Sequence, residues 1–172
     1  IRSTSERLIK LAEKQQRITT QLESTPQTVA AELSTVLRRV TETVTETFPN
    51  AEIVVEAEFE SPVMVPPRIE LAISELVTNA IEHADVDAGR VDVTVETTDG
   101  EVSIRIADVG PGIPEMEIDV LGTEEGPLFH GRGVGLWIAY WVVTHVGGSL
   151  EFEGNVPRGS VVTIRIPRGF ES

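Results

Sequence analysis

The sequence predicts a two-layer α/β (α+β) sandwich, in which one mixed, mainly antiparallel sheet carries helices on one face and is preceded by an N-terminal helix. Apolar residues recur at helical spacing over four stretches. Two further stretches pair alternating strands around turn residues, so each supplies an antiparallel hairpin. The resulting order is helix, strand, helix, hairpin, helix, hairpin, which fits a single sheet covered on one side. A chain of 172 residues buries an adequate core without staples, and with no cysteine it has no disulfides and no thiolate metal sites.

Each element has a local reason. Over residues 4–22, Leu8, Leu11, Gln15, Ile18 and Leu22 fall at alternating spacings of three and four, a heptad-like seam that needs a partner helix. The run ESTPQT breaks it, and residues 29–48 form a second amphipathic helix that stops before Pro49. Residues 51–59 and 62–65 read as strands, the latter short and flanked by proline. Residues 66–84 form a helix with proline at its start, where the missing N–H costs nothing. Residues 90–110 hold two alternating strands joined at Asp99-Gly100. A loop from Pro111 to about His130, a helix from about Gly133 to Val146, and strands over 149–154 and 159–166 complete the chain.

Charge narrows the partners. Residues 1–22 hold five basic and two acidic side chains, while residues 23–172 hold nine basic and 26 acidic, so the second stretch carries −17 against the chain's overall −14. Such a surface disfavours nucleic acid and anionic membrane as partners. Only Lys10 and Lys14 are lysines, a pattern suited to concentrated salt, where at about 1 M the screening length falls to roughly 3 Å. No run reaches the ~18 apolar residues of a membrane span. The three histidines, His83, His130 and His145, are too scattered for a zinc site, so any metal is expected to be a hard, oxygen-bound ion such as Mg²⁺. The chain opens on Ile1 rather than Met, which reads as a piece of a longer protein.

Chemistry concentrates in three places. In ELVTNAIEHA (75–84), Leu76, Val77, Ala80 and Ile81 form an inner helix face, yet Glu75, Asn79 and then Glu82 or His83 recur one turn apart. DVGPGIP (108–114) forces a turn beside a carboxylate at a strand end, and GRGVGLW (131–137) sets alternating glycines at a helix entrance. Glycines so spaced expose backbone N–H groups, and a helix N-terminus favours negative charge, so phosphate is the natural guest.

In this order and spacing the three motifs resemble the N, G1 and G2 boxes of the ATPase family shared by DNA gyrase, the ninety-kilodalton heat-shock chaperones, histidine kinases and mismatch-repair MutL proteins, from about Val29 to Pro167. The stretch from His130 to Pro167 looks most like the ATP-binding domain of sensor histidine kinases, particularly those of salt-adapted archaea. The resemblance implies that Asn79, with Glu75, holds Mg²⁺ bridging the phosphates of ATP, and that Glu75 acts as general base. It implies that Asp108 accepts a hydrogen bond from the adenine amine, with Thr163 placing a hydroxyl near the same ring. Gly110, Gly112 and Ile113 line the nucleotide, and His130, Gly131, Arg132, Gly133, Val134, Gly135 and Leu136 wrap the triphosphate behind a lid over residues 113–130. Residues 1–25 then become the tail of a dimerising, phosphoacceptor hairpin and residues 26–172 the catalytic domain. The protein would be cytoplasmic in this part, homodimeric in full, and would reach a response regulator through a histidine upstream of Ile1.

Two departures stand out. Many histidine kinases have lysine where Glu82 stands, with His83 as the nearest substitute, and Val109 replaces the usual asparagine of the G1 box. These departures keep open a nucleotide-gated interaction module, a pseudokinase, without transfer activity, and because ELVTNAIEH resembles it comparably well a serine kinase of the anti-sigma type stays open too. Trp137 and Trp141 read as core or contact residues, and His145 as a helix-end residue facing free carbonyls.

Overall fold

A computed structural model of the chain describes Glu13, Gln16 and residues 30–84, 89–123 and 134–168. The seam residues Leu8, Leu11, Gln15, Ile18 and Leu22, and the expected boundary at residues 25 and 26, lie outside the described residues. In chain order the elements are β1 (Ala31–Glu32), α1 (Leu33–Thr47), β2 (Glu52–Ala57), β3 (Met64–Val65), α2 (Ile69–Glu82), β4 (Arg90–Thr97), β5 (Glu101–Asp108), α3 (Glu115–Asp119), α4 (Val134–His145), β6 (Ser149–Gly154) and β7 (Ser160–Pro167).

Five strands form the mixed sheet in the order β2-β4-β5-β7-β6. Only the β2–β4 pair is parallel; the β4–β5, β5–β7 and β6–β7 pairs are antiparallel. Strand alternation decides which side chains meet the helices. The register stacks Val93 beside Ile106 and Ile106 beside Val162, then Val95 beside Ile104 and Ile104 beside Ile164, so rows of branched residues form one buried face. Onto that face α1 brings Leu33, Val36, Leu37, Val40 and Val44, a stripe at helical spacing. Ile69, Ile73, Leu76 and Val77 of α2 and Leu136, Ile138, Val142 and Val143 of α4 complete the core. The opposite face carries ion pairs instead. Arg165 bridges Glu101 (2.7 Å) and Glu151 (2.8 Å), hydrogen bonds that raise its pKa above the ordinary arginine value, Glu151 contributing most.

Two local expectations are corrected. The helix expected to begin at Val29 starts at Leu33, because Ala31 and Glu32 pair with Val65 and Met64 and the Leu33 N–H donates to the Val63 carbonyl at 2.8 Å. Tertiary pairing overrides the helix preference of an alanine-rich start. Within the expected loop after Pro111, Pro114 opens the single turn α3, which has Glu115 and Glu117 in its first turn and no buried residue.

Candidate functional site

The topology gathers the motifs at one end of the sandwich. The last β5–β7 pair is Ala107 with Val161, so the next step brings Asp108 opposite Ser160. At the same end the loop after β5 meets the C-terminus of α2: a Cβ on Gly110 would stand 3.1 Å from the His83 carbonyl oxygen. Helix α4 leaves through Gly147 and Gly148, and a Cβ on Gly148 would crowd the Arg165 carbonyl at the far end of β7. Running back from there over roughly 18 Å, the length of 12 residues of helix, α4 brings its first turn toward the Asp108 end.

Asp108 is the best-anchored group there. Its Oδ1 accepts from the Gly110 N–H (2.9 Å) and the Ser160 N–H (3.3 Å), and its Oδ2 accepts from the Ser160 hydroxyl (2.6 Å). A carboxylate offers about four lone-pair sites, so three donors fix its orientation and leave acceptor capacity for one further donor. The turn that follows needs glycine at Gly112, whose φ is +90. It packs on the β6–β7 hairpin, where Gly159 has no room for a side chain beside Asp108 and Val109.

On α2 the apolar stripe faces the core, while Glu75 and Asn79 are half-buried beside it, one turn apart along the helix. Asn79 sits in the last turn, and its carbonyl oxygen accepts from the His83 N–H at 3.1 Å. Glu82 and His83 are exposed at the helix end. Both α2 candidates present oxygen donors, the ligand type that suits Mg²⁺ when phosphates complete its shell. Among the described residues no three His, Cys, Asp or Glu side chains gather, so no metal cage made by the protein alone is present there.

The remaining expected residues divide. Ile113 is half-buried against the core, and Val134 and Gly135 open α4. The Leu136 side chain is fully buried in the core, which leaves only its backbone to face a ligand. His130, Gly131, Arg132 and Gly133 lie outside the described residues. Thr163 does not join Asp108. It shares parity with Val161 and Arg165 on the face away from the helices, between Arg105 and Glu151, whereas Ser160 shares parity with Val162, Ile164 and Ile166. The hydroxyl at the carboxylate is therefore that of Ser160, and counting alternation back from the buried Val162 would have found it. Asn155 was also missed; its side-chain amide donates to the Asp108 carbonyl at 2.7 Å. Along α4, Trp137 and Trp141 are half-buried against the core, and at its C-terminal end His145 Nδ1 lies 2.7 Å from the Trp141 carbonyl, as expected for a helix end.

Residues 64–169 match the family described as histidine kinase-, DNA gyrase B-, and HSP90-like ATPase. Sporulation kinase B of Bacillus subtilis is 26% identical over 119 residues, covering 67% of this chain and 28% of that protein. The signal transduction histidine-protein kinase AfsQ2 of Streptomyces coelicolor is 34% identical over 112 residues, covering 60% and 20%. Among solved structures, the catalytic domain of histidine kinase ThkA, in a nucleotide-free form, superposes with a TM-score of 0.67 at 27% identity, covering 81% of this chain and 96% of that one. The chain thus spans less than a third of the length of the curated relatives it matches. The chain belongs to the histidine kinase-, DNA gyrase B-, and HSP90-like ATPase family, and residues 64–169 are its ATP-binding ATPase domain.

Proposed function

We propose that this domain is the kinase domain of a two-component sensor histidine kinase, binding Mg-ATP at the Asp108 end of the sandwich and passing the γ-phosphoryl to a histidine outside residues 26–172. The observation that carries this reading is the Asp108 carboxylate, held by three donors at the strand end beside the last turn of α2. Its spare acceptor capacity suits an exocyclic amine, so it reads adenine. Mg²⁺, when bound, neutralises the phosphates; Asn79 and Glu75 are the residues that would hold it. Imidazole nitrogen of the acceptor attacks the γ-phosphorus, the bond to the β–γ bridging oxygen breaks, ADP leaves, and Glu75 takes the imidazole proton. On the same reading the backbone at the start of α4, Val134 through Leu136, meets the phosphates. The names of the relatives support a histidine as acceptor, and transfer onward to the receiver domain of a response regulator follows from that chemistry. We place the domain in the cytoplasm of a homodimeric protein; among the described residues no helix is long and apolar enough to cross a membrane.

The test is twofold. Calorimetry should show that Asn79→Ala weakens Mg-ATP binding far more than metal-free ATP binding; equal losses remove the metal role. Labelled ATP, supplied with an acceptor helical hairpin, should yield an acid-labile phosphohistidine. Acid-stable phosphoserine would favour the anti-sigma type of kinase instead, and binding without transfer would favour a nucleotide-gated interaction module. The exposed Glu82 at the end of α2, a carboxylate where cations suit phosphate, is what keeps the last reading in view.

A further inference from the structure

We infer that Asn155, at the mouth of the β6–β7 hairpin, is a positioning residue that sets base selectivity by holding the backbone of Asp108. The inference rests on the adenine reading above. Asp108 is the last residue of β5, one step beyond the last β5–β7 pair, so its carbonyl lies past the end of that ladder. Asn155, 47 residues away, supplies a donor from its side chain: Nδ2 donates to that carbonyl at 2.7 Å. The same side chain is itself fixed, because Oδ1 accepts from the Val156 N–H at 2.9 Å. Its main chain is tied across the turn, the Asn155 N–H donating to the Gly159 carbonyl at 3.0 Å.

The hairpin therefore grips Asp108 twice. Ser160 holds both carboxylate oxygens from one strand of the turn, and Asn155 holds the main chain from the other. A carboxylate reads an amine by direction as well as distance, and its direction follows from the peptide plane that carries it. Loss of the Asn155 amide frees that plane to rotate while the Ser160 contacts pull on the side chain alone. Asn155 acts through Asp108.

The test compares ATP with purine riboside triphosphate, which lacks the exocyclic amine, so the ratio of their affinities isolates the amine–carboxylate contact from the phosphates. Asn155→Asp keeps the acceptor for the Val156 N–H but replaces the donor. Asn155→Ser retains an acceptor too and is too short to span to the carbonyl. Each should lower the ATP preference by about three- to tenfold, the loss of one oriented hydrogen bond, while Asn155→Ser still melts as a folded chain. A native chain that does not distinguish the two nucleotides refutes the adenine reading and the clamp together. A native chain that does, with variants that keep its ratio or that lose both ligands equally, refutes the clamp alone.

Discussion

Gly159→Ala should unfold the site from the hairpin side, and the cost can be worked from the geometry. Gly159 has φ +113, and a Cβ there would collide with the Asp108 carbonyl oxygen, lying 2.7 Å from its carbon and 2.8 Å from the Val109 Cα. Carbon atoms prefer roughly 3.5–4.0 Å, so the hairpin must retreat by about 1 Å. That movement opens the Asn155 N–H bond to Gly159 and the Asn155 amide bond to Asp108, each worth about 1 kcal/mol. The positive φ costs alanine about 1–2 kcal/mol more. The sum is about 3–4 kcal/mol, and at about 2–4 °C per kcal/mol for a chain of this size the melting temperature should fall by about 6–16 °C. Gly154→Ala is the internal control: nothing lies within 4 Å of its Cβ position, so it should stay within about 0.5 kcal/mol of the native chain. Thermal melts by circular dichroism decide it. A Gly159→Ala chain melting within about 3 °C of the native one, below the range worked here, would refute the tight docking of hairpin on strand end.

Ser160→Ala removes the 2.6 Å hydrogen bond to Asp108 and should weaken ATP binding about five- to tenfold, whereas Thr163→Val, on the other face of the sheet, should leave calorimetric affinity unchanged; the reverse result would restore Thr163 to the site. Ile73→Ala, at a fully buried position of α2, should lower stability by about 2–5 kcal/mol in denaturant titration, and a loss below about 1 kcal/mol would mean α2 is not locked against the core. With −17 on residues 23–172, the melting temperature should climb as KCl rises from about 0.1 to above 1 M, while the screening length shrinks from roughly 10 to 3 Å. A flat or falling series would show that the acidic surface is not an adaptation to salt.

Periodicity made much of this protein legible before its structure. Alternation marked the two strands over 90–110, whose inward rows are Val91, Val93 and Val95 and Ile104 and Ile106, Asp99-Gly100 marked the first hairpin, and a carboxylate followed by glycines at a strand end marked Asp108. These are local properties, written in each residue's own spacing from its neighbours. Relations across the chain were not legible in that way. The parallel pairing of β2 with β4, the capture of Ala31 and Glu32 by Met64 and Val65, and the choice of Ser160 over Thr163 each depend on which residues face each other across separate strands. The Asn155 contact with Asp108 joins a hairpin turn to a strand end 47 residues earlier. Register is set only when the sheet assembles, because a one-residue shift exchanges every inward side chain for an outward one at no change in local pattern. So the sequence by itself determined where the motifs lie along the chain and which face of each element is apolar. Only the packed sheet decided which of them meet.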